Sequence, residues 1–133
     1  MKEQELTEKI IGCAMTAHSA LGPGFVESVY RNALGHELRK AALRFECLKP
    51  VNVHYDGVLV GKFEADMLVE EKVLLELKAV QYLVVAHEVQ LVNYLTATGL
   101  DIGLLINFGA ARLEFKRKVR ILPGKEPPPD VIL

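Results

Sequence analysis

Acidic and basic side chains lie together in the otherwise apolar stretch at residues 63–78, FEADMLVEEKVLLELK. Its hydrophobic residues alternate on both sides of a polar segment, which predicts two antiparallel strands joined by the turn Glu70-Glu71-Lys72. With the turn centred on residue 71, paired positions sum to 142, so Asp66 lies opposite Glu76. Directly opposed Cβ atoms are roughly 4.5–5.5 Å apart, and two carboxylates at that distance repel each other. A divalent cation between them would remove the repulsion, so the pair predicts a metal site.

A solvated strand face is the alternative explanation for these carboxylates, and a turn shifted by one residue would separate them. The pattern nevertheless favours a site, because Leu68 and Leu74 share the face of Asp66 and Glu76 and indicate that it is partly covered. Lys78 points to the same face, and acidic and basic residues on a half-covered face are uncommon without a function. The opposite, apolar face would carry Ala65, Met67, Val69, Val73, Leu75 and Leu77.

Length and composition are typical of one compact domain with a real core. The chain has 133 residues, 50% of them hydrophobic, and its mean hydropathy is +0.20. We expect a single domain over residues 1–122 and a proline-rich tail over residues 123–133. No apolar run approaches the ~20 residues of a membrane span, and MKEQELTEK is not a signal peptide, so we expect a cytoplasmic protein without membrane contact.

The high apolar fraction in so short a chain predicts a homodimer, whose interface would bury the surplus apolar surface. The formal net charge of −1 argues against strong non-specific binding to nucleic acid, although a local basic patch is compatible with it. Cys13 and Cys47 lack metal-ligand spacing, and we expect both to be reduced and buried.

Helical periodicity places further polar residues where they could take part in a site. Glu27 lies in the first turn of the second predicted helix, and Tyr30 follows on the same face. His87, Gln90 and Tyr94 lie within a ~60° sector of the third. A solvated helix face, or a helix dipole that favours a carboxylate in the first turn, would explain the same residues without a function. The predicted helices run from Glu3 to Ala20, from about Val26 to Ala42 and from about Ala86 to Thr98.

Strand patterns occupy the rest of the chain. Val51, Val53 and Tyr55 alternate and lead to the turn Asp56-Gly57, after which a strand runs into Asp66. The uniformly apolar run from Ile102 to Phe108 predicts a strand buried on both faces. The alternation from Arg112 to Ile121 predicts an edge strand, in which residues 116–120 are mostly basic.

The order of these elements, with Asp66 on one strand and Glu76-Leu77-Lys78 on the next, resembles the PD-(D/E)xK nuclease superfamily. Within that superfamily, GFVESVY at residues 24–30 is similar to the GxxExxY motif that names one family of small bacterial and archaeal proteins. The similarity runs from about Leu6 to Ile121 and includes HEVQLVNYLTATG and GLLINFG.

Two details refine the resemblance. Gln90 and Tyr94 are similar to the Q-x-x-x-Y element of RecB-type and related nucleases. The proline that often precedes the acidic strand residue is replaced by Ala65, as it is in many superfamily members.

The resemblance implies an α/β fold with a restriction-endonuclease-like core, in which helices flank a central mixed β-sheet. It also implies a metal-dependent nuclease. Mg²⁺ or Mn²⁺ would be held by Asp66, Glu76 and the carbonyl of Leu77, and by Glu27 directly, through a water or at a second metal position. Lys78 would orient the attacking water and stabilise the charge that develops at phosphorus.

The other motif residues would position the substrate, which we expect to be nucleic acid and specifically DNA. The resemblance implies that Gln90 and Tyr94 position Lys78 or the scissile phosphate. His87 and Tyr30 would contact the substrate or support the site. Arg31 and the basic residues at 116–120 would clamp phosphates.

Two other classes of function stay open from the sequence. One is a nucleic-acid-binding or regulatory module that keeps the nuclease fold but is catalytically silent. The other is a structural or interaction protein in which Glu27, Asp66, Glu76 and Lys78 form a salt-bridged network. The presence of Asp66, Glu76 and Lys78 together argues against simple decay to either of them.

Overall fold

The computed structural model describes residues 3–120, which form a five-stranded sheet with helices on both faces. The strands lie in chain order, and every neighbouring pair is antiparallel except β3–β4, which is parallel and connected by α3. This arrangement confirms the predicted α/β fold with a mixed sheet, whereas the expected tail at 123–133 lies outside the described residues. The elements are α1 (Gln4–Leu21), α2 (Glu27–Lys40), β1 (Phe45–Tyr55), β2 (Val58–Val69), β3 (Val73–Lys78), α3 (Val85–Thr98), β4 (Ile102–Asn107) and β5 (Glu114–Val119).

The helices begin and end within two residues of the predicted positions. The first ends at Gly22, which has a φ of 68° and precedes Pro23, so the chain leaves the helix at once. The third ends at Gly99, whose φ of 74° is the predicted left-handed cap. Across residues 3–120, no helix is both long and apolar enough to span a membrane.

The sheet separates two hydrophobic clusters. On one side Met67, Leu75 and Leu77 pack with residues of α1 and α2 such as Ile10 and Leu34. On the other side the strand residues Leu68, Leu74 and Leu105 pack against Leu91 and Leu95 of α3. All six residues of β4 are buried, which confirms the predicted strand with two covered faces.

The hairpin between β2 and β3 has the predicted register. Met67 pairs with Leu75, Leu68 with Leu74 and Val69 with Val73, so paired positions sum to 142. Glu70 and Glu71 both have left-handed backbone angles, with φ of 53° and 57°, and the Lys72 amide closes the turn on the Val69 carbonyl.

Pairing between β2 and β3 ends at Met67, while β1 and β2 continue together to their turn at Asp56-Gly57. We call this two-stranded extension, residues 49–65, the arm. At its base the β1–β2 ladder passes over Leu48 and Asp66, and Leu48 has a φ of 55°. Ala65 lies just beyond this interruption and packs in the hydrophobic cluster under α3. The prediction that Ala65 shares the face of Met67 is therefore wrong.

The predicted burial of both cysteines is wrong for Cys47. This residue is exposed because it lies on β1, an edge strand of the sheet, whereas Cys13 on α1 is partly buried against the core.

Candidate metal centre

The two carboxylates lie where β2 separates from β3. There the Asp66 amide donates a hydrogen bond to Glu76 Oε1 at 3.3 Å, and the Leu77 amide donates to Asp66 Oδ2 at 2.7 Å. Side-chain oxygens therefore take over backbone donors that the shortened ladder no longer pairs. This exchange holds the two carboxylates beside each other where β2 leaves β3.

Burial makes the negative charges of this pair costly. Glu76 is only 5% exposed, and burial together with the charge of Asp66 raises its pKa to about 8. Burial also raises the pKa of Asp66, although the Leu77 amide, Arg31 and Lys78 all act to lower it. The site thus contains more buried carboxylate than its positive neighbours stabilise.

The donor atoms suit a hard divalent cation. Asp66 and Glu76 supply carboxylate oxygens, which are the ligands that Mg²⁺ and Mn²⁺ prefer. The Leu77 amide points towards Asp66, and the carbonyl of a strand residue points to the same edge as its amide, so the Leu77 carbonyl is directed to this side. A cation would also offset the burial that raises both pKa values and the charge of Asp66 that adds to the rise at Glu76. The residues therefore fit the predicted metal.

Glu27 stands apart from the carboxylate pair. It is exposed in the first turn of α2, and its charge contributes to the raised pKa of Glu76. In the described part of the chain, no three His, Cys, Asp or Glu side chains converge closely enough to enclose a metal. Of the three predicted roles for Glu27, direct ligation does not fit this arrangement, while contact through a water or at a second position does.

Lys78 is connected to α3 by a chain of hydrogen bonds. Its Nζ donates to Gln90 Oε1 at 3.3 Å, and Gln90 Nε2 donates to the Tyr94 hydroxyl at 3.2 Å. Burial raises the pKa of Tyr94, as does the nearby charge of Glu76. The helix thus holds the ammonium group near the two carboxylates, where its charge acts to lower both of their pKa values.

A profile described as the PD-(D/E)XK nuclease superfamily matches residues 4–118. The chain belongs to this superfamily. No curated protein matches the sequence. A similar solved structure is the crystal structure of SSO0001, with a TM-score of 0.56 and 19% sequence identity over 90% of this chain. The chain spans 60% of the length of that protein, and the likeness is one of fold.

His87 lies at the start of α3 in this nuclease-superfamily chain. Its Nδ1 accepts a hydrogen bond from the Val84 amide at 3.2 Å. Burial lowers the pKa of the imidazole, and the charge of Lys78 adds to the effect. The ring is then neutral with Nδ1 as acceptor, so its proton is on Nε2, which remains available as a donor.

Tyr30, which the sequence placed near the substrate, is fully buried. Its hydroxyl donates to the Gly22 carbonyl at 2.5 Å and accepts from the Phe25 amide at 3.1 Å, and its ring stacks on Phe108 at 4.8 Å. A direct substrate contact by Tyr30 is therefore wrong. The supporting role is the one that fits, because the residue ties down the loop immediately before Glu27.

The basic residues differ in how far they remain available to phosphates. Arg31 Nη1 lies 3.7 Å from Asp66 Oδ1, which brings it to the centre. On β5, Lys118 is buried in an ion pair with Glu88 at 2.6 Å, so its predicted use as a phosphate clamp is wrong. Arg117 bonds Thr7, Arg120 pairs with Asp101, and Lys116 is exposed.

Asn107 supports the centre. Its only signal in the sequence is that it is a polar residue at the end of an apolar strand. It is fully buried, its Nδ2 donates to the Val80 carbonyl at 2.9 Å, and its Oδ1 accepts from the Val80 amide at 3.0 Å. These bonds hold the chain directly after Lys78. The backbone of Gly109 approaches the same segment so closely that a Cβ there would lie 2.4 Å from Val80 atoms.

Proposed function

We propose that this protein is a nuclease that hydrolyses phosphodiester bonds with water activated by Mg²⁺ or Mn²⁺, and that DNA is its substrate. The observation that carries the proposal is the buried Asp66–Glu76 pair with Lys78 held beside it. Membership of the nuclease superfamily supports it, because nucleases of this kind generally use divalent metals. A carboxylate pair with raised pKa values is costly to folding, which is typical of residues kept for function.

In this mechanism Asp66, Glu76 and the Leu77 carbonyl would hold the ion. When bound, a divalent metal polarises a phosphate and lowers the pKa of a coordinated water. The Lys78 ammonium, oriented by Gln90, donates hydrogen bonds to the attacking water or to a phosphate oxygen. It thereby stabilises negative charge as that charge develops. Tyr94 fixes the amide of Gln90, and so the direction of Lys78.

We also propose that the chain is a member of the GxxExxY family, because each fixed position of the motif has a physical role in this fold. Gly24 has a φ of 117°, which favours glycine, at the turn before α2. Glu27 opens the helix on the side of the carboxylate pair. Tyr30 closes the loop through its hydroxyl.

One observation favours a catalytically silent module as the second candidate. Arg31 pairs with Asp66 at 3.7 Å, so the protein already places one fixed positive charge beside the carboxylates. Under this alternative the centre is a salt-bridged network that binds nucleic acid without cutting it.

The deciding experiment is a cleavage assay on DNA and RNA substrates with Mn²⁺, Mg²⁺ or Ca²⁺, comparing the unaltered protein with Lys78→Ala. Lys72→Ala, at an exposed lysine in the β2–β3 turn, is the matched control. We expect weak cleavage with Mn²⁺ or Mg²⁺ but not Ca²⁺. Lys78→Ala should lower the rate ~100-fold or more, and Lys72→Ala should leave it unchanged. Intact substrates at high protein concentration, or cleavage that survives Lys78→Ala, would contradict the mechanism.

We further propose that the protein is a homodimer joined through the tip of the arm. Four apolar side chains around the turn at Asp56-Gly57 are largely exposed, and a monomer rarely leaves such a patch in water. They are Tyr55 (75% exposed), Val58 (62%), Leu59 (42%) and Val60 (58%).

A further inference from the structure

A groove of about 820 Å³ runs between the arm and α3. Asn52 and Phe63 contribute from the arm, and Gln90, Asn93 and Tyr94 contribute from the helix. The volume is within the ~300–1,000 Å³ typical of sites that enclose a small organic group. Nothing in the mechanism above uses Phe63, Asn52 or Asn93.

The lining of the groove suits nucleobases better than phosphates. Phe63 is 47% exposed, and its ring lies 5.6 Å from the Tyr94 ring at an interplanar angle of 35°. The amide side chains of Asn52, Gln90 and Asn93 offer paired donors and acceptors of the kind that recognise base edges. Among the described residues that line the groove there is no Asp, Glu, Lys or Arg, so it has no fixed charge with which to hold a phosphate.

The groove is continuous with the candidate centre. Gln90 and Tyr94 line it and are also the residues that hold Lys78. A base in the groove would therefore place its own phosphate, or a neighbouring one, beside Asp66 and Glu76. Lys62 and Glu64, on either side of Phe63, are exposed and do not line this groove.

We propose that this groove binds an unpaired nucleobase of single-stranded nucleic acid, stacked on Phe63, next to the bond that is cut. A base in a duplex is covered on both faces by its neighbours and cannot present them to an aromatic side chain, whereas an unpaired base can. The inference rests on the proposed nuclease function, to which it adds a preference for single strands or frayed ends.

The test is a binding measurement by fluorescence anisotropy in chelator, so that no cleavage occurs. The probes are a labelled single-stranded DNA of ~12 nucleotides and the same sequence as a duplex. Phe63→Leu keeps apolar volume and removes the aromatic face, and Phe63→Trp restores it. Phe115→Leu is the matched control, because Phe115 is similarly exposed (41%) but lies on β5, away from the groove.

We expect the single strand to bind at least ~10-fold more tightly than the duplex. Loss of stacking in Phe63→Leu should weaken single-strand binding ~5- to 150-fold, with Phe63→Trp close to the unaltered protein and Phe115→Leu unchanged. Equal affinity for duplex and single strand, or equal losses in Phe63→Leu and Phe115→Leu, would overturn the proposal.

The two proposals fail separately. Mn²⁺-dependent cleavage of duplex DNA that is indifferent to Phe63→Leu would overturn the groove proposal and leave the nuclease function standing. Phe63-dependent binding of single strands without cleavage under any metal would support the groove and overturn the nuclease function.

Discussion

Arg31 Nη1 lies 3.7 Å from Asp66 Oδ1, at the meeting of α2 and β2. Both side chains are mostly shielded, with exposures of 22% and 15%. The guanidinium lowers the pKa of Asp66, but burial acts more strongly and the pKa stays above its ordinary value. Arg31 therefore offsets only part of the cost of burying the Asp66 charge. A metal ion at the centre would compete with Arg31 for Asp66.

Arg31→Gln should separate metal binding from cleavage. Removal of a positive charge beside a ligand strengthens the attraction for a cation, so Mn²⁺ should bind about three- to tenfold more tightly. Cleavage should fall, because the phosphate loses a contact. Calorimetric titration and the cleavage assay measure the two effects, with Arg39→Gln on the same helix as control. Weaker Mn²⁺ binding in Arg31→Gln would contradict this role.

Asp66→Asn should abolish the stabilisation by metal without harming the metal-free fold. Asparagine keeps an oxygen for the Leu77 amide and removes one of two repelling charges. The metal-free free energy of unfolding should be equal or higher by ~0.5–2 kcal/mol. Added Mn²⁺ should raise the melting temperature of the unaltered protein but not that of Asp66→Asn.

The control for that comparison is Glu64→Gln, at an exposed carboxylate on the same strand, which should keep the metal response. A structural salt-bridge network makes the opposite prediction. Asp66→Asn would then cost roughly 3–5 kcal/mol, and no variant would respond to metal.

The metal-free protein should lose stability as the pH rises towards 8. Glu76 has a pKa of about 8 in the fold and an ordinary value of 4.5, so the native state binds the proton more tightly than the unfolded chain. The stability gained from this tighter proton binding is fully present below pH 4.5. It falls by up to ~1.4 kcal/mol per pH unit as the pH rises from there, and it is lost once the pH has passed about 8. Urea unfolding in chelator, as a function of pH, measures it.

Glu76→Gln should flatten this pH dependence, since glutamine cannot ionise. The raised pKa of Asp66 leaves a smaller slope of the same sign. If Glu76 is instead ionised and paired, its carboxylate titrates below pH 4.5, and the unaltered protein and Glu76→Gln should then show the same pH dependence between about pH 5 and 8.

Tyr30→Phe should lower activity through the position of Glu27. The change removes the two hydrogen bonds to Gly22 and Phe25 inside the core, at a cost of ~1–3 kcal/mol in unfolding free energy. If Glu27 acts at the centre, the cleavage rate should fall even at temperatures where the variant is fully folded. Tyr82→Phe, at an exposed tyrosine, should change neither quantity.

Light scattering should return the mass of a dimer at micromolar concentration. A stable interface buries more than ~1,000 Å² in total, and Val60→Glu at the tip of the arm should disrupt it. Lys62→Glu, also on β2 but outside the apolar tip, is the control. A monomer mass for the unaltered protein would refute the dimer.

Local patterns were sufficient to predict the register of the β2–β3 hairpin because that register depends on one turn. Once residues 70–72 form the turn, Met67 pairs with Leu75, and Asp66 and Glu76 are the next residue on each strand. The hairpin with its turn at Asp56-Gly57 was also predicted, but its separation from β3 beyond Met67 was not. Its divergence begins at Leu48, and nothing in the type of that residue indicates a left-handed backbone.

Tertiary contacts account for the other differences. The resemblance implied that Tyr30 contacts the substrate or supports the site and that Lys118 is among the phosphate clamps. Their burial depends on Phe108 and on Glu88, which are distant in the sequence. The stacking surface of Phe63 was missed for a similar reason, because it exists only where the arm meets α3.

Among residues 3–120, the strands of the arm pair with no other strand beyond Met67, so the length of the arm is independent of the rest of the sheet. Paired insertions or deletions on both sides of Asp56-Gly57 would shift the tip without changing the register that sets Asp66. Changes in the length of the arm could therefore alter which substrates the protein binds without altering the residues of the candidate centre. A chimaera that exchanges residues 50–63 alone is the corresponding engineering route.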